Sequence, residues 1–311
     1  MYDPIKPYNK DIAEIIKKTW RTPYVLVKED IVKKRFDLPE YHHSDGIGTK
    51  GIYHWRYKTL ENAVTDAIAM NLNDMPFKRA IPYAIIDHLF LPEDNSEYIL
   101  RIMNKLAGEC KKRNIAITGG ETAIHNDSQG IELSITMLGF IKNPKPNQFK
   151  IGDVLIGIKS SGIHSNGFTK IREVFGNKNK KEFTIPTLIY QGIISKIDEE
   201  YGINGMMHIT GGAYTKLKKS LKEGDIKIDS RIINPHSIFY ELYDKGISDE
   251  EMYKTFNCGI GFILSTSSDK ADLILSEINN SGFKAGIVGI VTKGDKKIKI
   301  KSSFSDRIVE L

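Results

Sequence analysis

Cysteine is scarce in this chain of 311 residues, which has only Cys110 and Cys258. The two are far apart and form no C-x-x-C pair, so a disulfide-stapled fold is excluded and a reducing, cytoplasmic compartment is expected. Long apolar runs are missing as well, since none approaches the roughly 18–20 residues that cross a bilayer. The first residues lack the apolar stretch of a signal peptide, and we expect none.

Several widespread catalytic and binding motifs are also absent. The sequence has no G-x-x-x-x-G-K-[ST] loop, no G-x-G-x-x-G fingerprint and no G-x-S-x-G elbow, which argues against P-loop, dinucleotide-binding and hydrolase functions. No H-E-x-x-H or similar spacing occurs, so no zinc site is expected. The net charge of +6 is mild and the lysines are scattered. We therefore expect no nucleic-acid interface and only some attraction of anionic substrates.

Apolar periodicity switches between helical and strand-like spacing in both halves of the chain. Helical spacing predicts helices over residues 9–20, 60–75, 95–113, 187–197 and 212–221. Apolar runs or alternation predict strands over residues 83–90, 115–118, 131–141, 154–158, 259–265 and 286–291. A segment with two prolines, residues 143–147, predicts a boundary between domains 1–146 and 147–311. The interleaving of the elements predicts an α/β or α+β class.

The first segment suited to ligand binding is Ser-Asp-Gly-Ile-Gly-Thr-Lys, residues 44–50. Gly46 and Gly48 let backbone amides approach a ligand closely. Thr49 and Lys50 can bind phosphate oxygens, and the Asp45 carboxylate can hold Mg²⁺. The alternative is an ordinary glycine-rich turn.

Two further segments of the first half offer oxygen ligands. Asp66 and Asn73 are two helical turns apart and share one face, and Asp74 lies at the predicted helix end. Carboxylate and amide oxygens suit Mg²⁺, although a solvated helix face explains the pattern too. The other segment, Thr-Gly-Gly-Glu-Thr at residues 118–122, follows a predicted buried strand. We interpret it as a Gly-Gly turn that presents Glu121, or as a plain turn.

The second half contributes two loops that combine a histidine, a hydroxyl and glycines. Residues 160–167 read Ser-Ser-Gly-Ile-His-Ser-Asn-Gly, and residues 208–212 read His-Ile-Thr-Gly-Gly. Such loops can bind phosphate through backbone amides at a helix N-terminus. For His164 and His208, a hydrogen-bonded helix cap is the structural alternative.

The order of these segments along the chain is more specific than any one of them. The motifs D-G-x-G-T-K, M-x-x-N-D, G-G-E-T-A, S-S-G-x-H-S-N-G, H-I-T-G-G and M-Y-K-T-F-N-C-G-x-G follow one another along the chain, and the likeness they carry extends from about residue 44 to about residue 292. This series resembles the aminoimidazole ribonucleotide synthetase (phosphoribosylformylglycinamidine cyclo-ligase) family. The resemblance implies a two-domain fold with an N-terminal sheet-and-helix domain and a C-terminal α+β domain.

The resemblance also implies the reaction, which is ATP- and Mg²⁺-dependent ring closure of formylglycinamidine ribonucleotide to 5-aminoimidazole ribonucleotide. The family converts the formamide oxygen into a leaving group by transferring the γ-phosphoryl group of ATP to it. A neighbouring nitrogen then attacks the same carbon, and phosphate departs. The resemblance further implies a homodimer in which the N-terminal sheets pair, with no membrane or nucleic-acid partner.

The site residues are implied by the same resemblance. The N-terminal domain would supply metal ligands (Asp45, Asp66, Asp74 and Glu121) and ATP-binding residues (Gly46, Gly48, Thr49, Lys50, Asn73, Gly119, Gly120, Glu121 and Thr122). The catalytic set would be Asp45, Lys50, His164, Asn166 and His208. The substrate would contact Ser165, Gly167, Thr210, Gly211 and Gly212.

Some features depart from the family, and some relatives compete. Family members usually carry a glycine-rich loop ahead of D-G-x-G-T-K, yet residues 21–41 contain no glycine, and Ile-His-Asn-Asp replaces the usual E-M-P-G at residues 124–127. Selenophosphate synthetases would have a reactive cysteine before Cys110, and thiamine-monophosphate kinases lack the H-S-N-G and N-C-G-x-G runs. Another ATP-using relative and a non-catalytic nucleotide-binding protein remain the alternatives.

Overall fold

The computed structural model describes residues 6–311. The chain divides into two units, each with its own sheet. The N-terminal unit comprises Arg79–Pro144 and the described residues up to Met75, and the C-terminal unit comprises Lys145–Leu311 and Pro76–Lys78. Within the described residues, no helix is long and apolar enough to span a membrane.

The N-terminal unit is built on a four-stranded sheet whose strands run in the order β3-β6-β4-β5. β4 and β5 are parallel, and the other neighbours are antiparallel. A separate hairpin is formed by β1 and β2. The helices are α1 (Asn9–Lys17), α2 (Gly51–Tyr57), α3 (Leu60–Leu72) and α4 (Ser96–Lys112); the strands are β1 (Val25–Lys28), β2 (Ile31–Lys34), β3 (Glu40–Gly46), β4 (Ala80–Leu91), β5 (Ala116–Ile124) and β6 (Glu132–Ile141).

Alternation along β6 determines which face of this sheet is buried. Leu133, Ile135 and Met137 are buried, whereas Glu132 and Ser134 point outward and are exposed. Both α3 and α4 pack against the sheet and against each other. The opposite face has no helix layer among the elements described, and Ile86 is 45% exposed there. The predicted strand over residues 131–141 is confirmed, because the two-residue period reports burial on one face.

The C-terminal unit has a seven-stranded sheet in the order β13-β12-β9-β11-β7-β10-β8. Only β9 and β12 are parallel neighbours. The strands are β7 (Val154–Lys159), β8 (Gly205–His208), β9 (Gly224–Asp229), β10 (Ile260–Thr266), β11 (Ala285–Thr292), β12 (Asp295–Lys301) and β13 (Ile308–Glu310); the helices are α5 (Phe168–Phe175), α6 (Gln191–Glu200), α7 (Ser237–Asp244), α8 (Asp249–Thr255) and α9 (Ser268–Asn280).

The main core cluster of this unit lies between β7, β10 and β8 on one side and α6 and α9 on the other. Ile156 and Phe262 from the sheet meet Ile194 and Ile274 from the helices. Phe77 lies in the short segment Pro76–Lys78, almost seventy positions before Lys145, where the rest of the unit begins. It packs against the same cluster, with its ring centroid 6.2 Å from that of Phe262. The predicted α/β (α+β) class is confirmed, because strands and helices are interleaved in both units.

Several predicted elements need correction. The helix expected over residues 60–75 ends at Leu72, and the one expected from residue 187 begins at Gln191. The helix expected over residues 212–221 is a 3-10 helix, Ala213–Ser220. The Gly-Gly turn is wrong: Gly119, Gly120 and Glu121 belong to β5 and pair with β4. The turn propensity of the two glycines does not decide the local structure, because both form part of the parallel pairing with β4.

Candidate active site

The D-G-x-G-T-K segment forms the end of an edge strand and one turn of helix. Asp45 and Gly46 close β3, and Gly48–Lys50 form a 3-10 turn that leads into α2. Gly48 has a φ of +55°, a left-handed conformation that favours glycine. Gly48 is exposed and Thr49 half-buried, so both are accessible to a ligand. The segment is therefore a strand-to-helix junction, which is more ordered than the glycine-rich turn of the alternative interpretation.

Lys50 and Asp66 form a fully buried ion pair. Lys50 Nζ lies 2.8 Å from Asp66 Oδ2, and both side chains are 0% exposed. The same carboxylate oxygen lies 2.8 Å from His54 Nε2, and His54 Nδ1 is 2.9 Å from the Thr59 hydroxyl. Burial alone would raise the pKa of Asp66, but the Lys50 charge and the His54 hydrogen bond outweigh it and hold the pKa below its usual value.

This pair concerns two residues with predicted roles. We expect Lys50 to contact ATP phosphates and Asp66 to bind Mg²⁺, and both roles stay predictions. In the structure each side chain has the other as a buried partner. Asn73 is also 0% exposed. Lys50 and Asp66 support the strand-to-helix junction from within the unit, because a buried charge is retained only when it is paired.

Asp45 and Asp74 lie beside His43 at the sheet edge. His43 Nε2 is 3.5 Å from Asp74 Oδ2, and His43 Nδ1 is 3.0 Å from Asn71 Oδ1. Burial would lower the pKa of His43, but the hydrogen bond and charge of Asp74, with smaller contributions from Asn71 and Asp45, raise it. Asn71 also donates a 3.0 Å hydrogen bond to the Asp45 carbonyl. The two carboxylates are half-buried, so this is the accessible acidic pair of the unit.

Glu121 lies on the other face of the sheet. In the register of the sheet, Glu121 pairs with His88 of β4, and His88 pairs with Ser134 of β6. Ser134 in turn pairs with Gly46 of β3, so these four residues lie in one row across the sheet. Since neighbouring strand residues point to opposite faces, Glu121 and Asp45 are on different sides of the sheet, and their strands are three strand spacings, about 14 Å, apart. Glu121 contributes to an open pocket of about 510 Å³. The other residues that line it are Ser44, Ile86, Asp87, His88, Gly119, Gly120, Ser134 and Thr136.

The four carboxylates predicted to hold the metal are therefore not gathered into one site. Asp66 is buried with Lys50, Glu121 is on the outer face, and Asp45 and Asp74 lie beside His43. Within residues 6–311, no group of three or more His, Cys, Asp or Glu side chains is arranged to hold a metal ion. Mg²⁺ in nucleotide sites is commonly bound by one or two carboxylates plus phosphate oxygens and waters. Asp45 and Asp74 fit that smaller requirement.

The two loops of the C-terminal unit come together. The ring centroids of His164 and His208 are 6.0 Å apart, and each lies 6.1 Å from that of Tyr190. Both histidines are buried, and His164 Nε2 accepts a hydrogen bond from the Ser161 amide at 3.3 Å. The catalytic role and the alternative of a hydrogen-bonded helix cap both stay predictions for these two residues.

The other polar residues of these loops, of which Ser165 and Asn166 are half-buried and Thr210 is buried, form a small polar surface. Asn166 Oδ1 lies beside Gly211, where an added Cβ would be 3.1 Å away. The buried Nδ2 of Asn166 has no hydrogen-bond partner among the described residues. Ser165 Oγ is 3.1 Å from Thr187 Oγ1. Lys216 Nζ, which sequence reasoning missed, donates a 2.6 Å hydrogen bond to Thr210 Oγ1. The surface therefore offers amide, hydroxyl and ammonium groups to an anionic substrate.

Glycines begin the segments that follow both loops. Gly167 and Gly212 have φ values of +78° and +77° and immediately precede α5 and the 3-10 helix Ala213–Ser220. A side chain at Gly167 would also overlap the Phe256 ring. Of the predicted substrate-binding glycines, Gly211 and Gly212 have an exposed backbone, whereas Gly167 is half-buried.

Asn257 connects the loop at residues 160–164 to β10, and sequence reasoning assigned it no role. Its Oδ1 accepts hydrogen bonds from the Ser160 hydroxyl at 3.0 Å and the Gly259 amide at 2.9 Å. Its Nδ2 donates to the Gly162 carbonyl at 2.9 Å and the Ile163 carbonyl at 3.1 Å. All four hydrogen-bonding positions of the amide are used. The N-C-G-x-G run contained this residue, but three of its four partners are almost a hundred positions away.

Asp87 is a second residue that was missed. Asp87 lies in β4 and is 2% exposed. It pairs with Ile135 of β6, which also pairs with Asp45 of β3, so the three residues lie in one row across the sheet. A carboxylate inside the apolar run 83–90 was the available signal, because acidic groups are rarely buried without a function or a partner. It is thus a further candidate of the N-terminal unit.

Gly261 provides a test of how tightly this part of the site is packed. A methyl group there would overlap the Tyr190 hydroxyl and lie 2.6 Å from His164 Cε1. Gly261→Ala is expected to lower the free energy of unfolding by about 1–3 kcal/mol through overpacking. Urea unfolding followed by circular dichroism measures it, with Gly192→Ala as the control, since nothing lies within 4 Å of that exposed position on α6. Equal stability of the two variants would contradict the packing described here.

Comparison with known proteins identifies the family. Two family models, described as AIR synthase related protein, N-terminal domain and C-terminal domain, match residues 41–141 and 150–301. Phosphoribosylformylglycinamidine cyclo-ligase of Clostridium perfringens (strain 13 / Type A) is 33% identical over 321 residues, which cover 94% of this chain and 95% of the relative. The chain belongs to the phosphoribosylformylglycinamidine cyclo-ligase family. The enzyme of that name from Methanococcus vannielii is 35% identical, covering 86% of this chain and 80% of its own.

Solved structures support the fold of this cyclo-ligase family member. The hydrogenase maturation protein HypE in complex with ATP gives a TM-score of 0.71 at 13% identity, covering 98% of this chain and 95% of that one. Thiamine-monophosphate kinase from Stenotrophomonas maltophilia K279a also gives 0.71 at 13% identity, covering 97% and 98%. At such identities the likeness establishes a shared fold only. The resemblance drawn from the motif series is confirmed at the level of the family.

Proposed function

We propose that the chain catalyses ATP-dependent closure of formylglycinamidine ribonucleotide to 5-aminoimidazole ribonucleotide in purine biosynthesis. The observation that carries the proposal is the similarity to cyclo-ligases across both domains, which includes 33% identity over 94% of the chain. The loops at residues 160–167 and 208–212 support it, because they form one polar surface. Free, buried cysteines are consistent with the cytoplasmic location that we propose for the enzyme.

The chemistry requires a phosphoryl transfer followed by an intramolecular attack. The formyl oxygen takes the γ-phosphoryl group of ATP and ADP leaves. The ribosyl-bearing nitrogen then attacks the formyl-derived carbon, and the carbon–oxygen bond breaks with release of phosphate. Phosphoryl transfer depends mainly on positioned charge, and the ring closure depends on holding two groups of one substrate together.

We assign the ATP-facing role to the accessible residues of the N-terminal unit. Asp45 and Asp74 are the carboxylates that would hold Mg²⁺, which when bound neutralises phosphate charge. Gly48 and Thr49 offer backbone amides and a hydroxyl to phosphate oxygens, and the Gly46 amide donates a 2.7 Å hydrogen bond to Asp45 Oδ1 and so orients that carboxylate. Glu121 and the pocket on the outer face are further candidates for ligand contact.

We assign the substrate-facing role to the polar surface of the C-terminal unit. Asn166 and Ser165 are suited to orient the formyl and ribose groups by hydrogen bonding. Thr210, Gly211 and Gly212, with Lys216, are suited to an anionic phosphate, since they combine an ammonium group with accessible backbone. His164 and His208 position these loops from beneath.

The decisive measurement is ADP release with defined substrates. Purified protein with ATP and Mg²⁺ is expected to release ADP when formylglycinamidine ribonucleotide is added and not when thiamine monophosphate is added. The opposite pattern would assign the chain to a kinase-like function, the main competing one. No ADP release with either substrate, while ATP still binds, would favour a non-catalytic nucleotide-binding relative.

Asp45→Asn tests the accessible acidic pair. We expect kcat/KM to fall about 100-fold, because a carboxylate near the phosphates is replaced by a neutral amide. Calorimetry should show weaker binding of Mg-ATP, while the unfolding transition is unchanged because Asp45 is half-buried at a strand end. Glu132→Gln, an exposed position on the neighbouring strand, is the control. Normal turnover in Asp45→Asn would remove Asp45 from the site.

We also propose that the enzyme is a homodimer that pairs the open faces of its N-terminal sheets. Ile86 is 45% exposed at the centre of that face, and Phe90 is half-buried on the same side of β4. Ile86→Asp is expected to convert the dimer to a monomer in sedimentation velocity experiments, because a desolvated charge would oppose association. A dimer of unchanged stability in this variant would place the interface elsewhere.

A further inference from the structure

The helix layer on one face of the seven-stranded sheet covers only part of it. Ile156 in β7 packs with Ile194 of α6 and Ile274 of α9. The cluster's sheet residues come from β7, β8 and β10, and α9 reaches β11. Beyond α9, the same face continues over four strands, β11, β9, β12 and β13.

The strand registers show which residues this open area presents. Ile287 is opposite Ile156 and therefore shares its face. Ile290 is opposite Lys227, and Lys227 is opposite Lys299. Ile308 is opposite Lys301 at the sheet edge. Paired residues point to the same side of a sheet, so isoleucines at both borders flank a central stripe of lysines.

The open area has the size of one helix. Three strand spacings span about 14 Å, and a helix with its side chains is about 10–12 Å wide. The depression has a volume of about 720 Å³. Ile287, Ile290 and Ile308 are 39%, 42% and 70% exposed. Exposed apolar side chains at both borders of one depression, with polar groups between them, are typical of an interaction surface.

The charges on this surface determine the chemistry of its partner. Lys227 and Lys301 form no ion pair among the described residues, whereas Lys299 binds Asp225 at 2.9 Å. The acidic groups nearby are already neutralised, since Asp229 pairs with Arg231 at 2.6 Å and Glu310 with Lys297 at 2.6 Å. Two copies of the surface placed face to face would oppose lysine to lysine. An acidic partner is favoured over a second copy of the chain.

We propose that this surface binds an amphipathic helix of another protein, with its apolar side on the isoleucines and acidic side chains on Lys227 and Lys301. Such a helix would lie beside α9 as the next member of the helix layer. Binding would follow the helix-in-groove mode, in which apolar anchors provide affinity and charges provide orientation.

A pair of synthetic helical peptides tests the proposal on the full chain. Both carry the same leucine face, one with glutamates and the other with lysines on its flanks, and fluorescence anisotropy measures their affinity. The acidic peptide is expected to bind at least tenfold more tightly. Ile290→Asp should weaken that binding at least tenfold. The control is Leu273→Asp on α9, an exposed apolar position outside the depression, which should have no effect.

Reversing the charge of the surface distinguishes charge-specific binding of the peptide from non-specific hydrophobic binding. Lys227→Glu combined with Lys301→Glu should invert the preference, so that the basic peptide binds better. Equal affinity for both peptides, or no binding of the acidic one, would overturn the proposal. A change of oligomeric state in Ile290→Asp would overturn it in favour of a second copy. Turnover of formylglycinamidine ribonucleotide should be unaffected in all variants, which keeps this result independent of the proposed activity.

Discussion

Replacing Asp66 with asparagine is expected to lower the free energy of unfolding of the N-terminal unit by about 3–5 kcal/mol. The Lys50 ammonium, 0% exposed, would lose the counter-charge that lies 2.8 Å away. Solvent could replace that counter-charge only if the core around α2 and α3 opened. His54 would also exchange a carboxylate partner for a neutral amide. The loss exceeds that of any surface ion pair, because the uncompensated charge stays buried.

Tryptophan fluorescence during urea unfolding measures the loss of stability of the N-terminal unit. Trp20 and Trp55 are the chain's two tryptophans, and both belong to the N-terminal unit. Glu61→Gln is a matched control, because Glu61 is also on α3 and pairs with Arg101, but its side chain is 43% exposed. That pair should contribute only about 0–1 kcal/mol. Similar urea midpoints for Asp66→Asn and Glu61→Gln would contradict the buried pair.

A double variant distinguishes a lost charge from lost packing. Lys50→Met combined with Asp66→Asn removes both charges and keeps side chains of similar length. We expect it to recover most of the stability lost in Asp66→Asn alone, because neither remaining group is an unpaired buried ion. Additive losses would show that shape, not charge, stabilises this junction.

Asn257→Asp is expected to have the largest effect in the C-terminal unit. The new carboxylate cannot donate to the Gly162 and Ile163 carbonyls, which Asn257 Nδ2 now binds at 2.9 and 3.1 Å. Two buried acceptors would lose their donor beside a buried charge, at a cost of about 2–5 kcal/mol. Displacement of the loop that ends in His164 should also lower kcat/KM for the proposed substrate about 100-fold.

Hydrogen exchange over residues 160–167 gives a readout that does not depend on activity. Asn257→Asp should speed exchange throughout this loop. Ser160→Ala, which removes only the hydroxyl that donates to Asn257 Oδ1 at 3.0 Å, is the control and should cost about 1 kcal/mol with little change in exchange. Slow exchange in both variants would mean that the loop is held in place by other contacts.

Elements with a strong periodic pattern could be predicted from the sequence. The alternation of Leu133, Ile135 and Met137 reports one buried face directly. The helix expected over residues 95–113 is observed as Ser96–Lys112, with Asn95 as an N-cap that accepts from the Tyr98 amide at 3.1 Å. Both signals are local, since period and capping involve residues a few positions apart.

The arrangement of the site could not be predicted in the same way, because its contacts are long-range. The pairing of Lys50 with Asp66 depends on how α2 turns back onto α3. Sequence motifs identified both residues, but they do not distinguish a side chain that faces a ligand from one that supports the backbone beneath it. Glu121 illustrates the same limit, since its position on the outer face follows from the register between β4 and β5.

The position of Phe77 in the chain affects the order in which the two units can complete their folding during synthesis. It packs against the core of the C-terminal unit, although it is synthesised in the middle of the N-terminal unit's sequence. During synthesis the N-terminal unit can complete its sheet while this ring still waits for β10 and its Phe262 to leave the ribosome. A gene fragment cut at the boundary after Pro144 would therefore encode a second unit that lacks the partly buried ring packed against its core cluster.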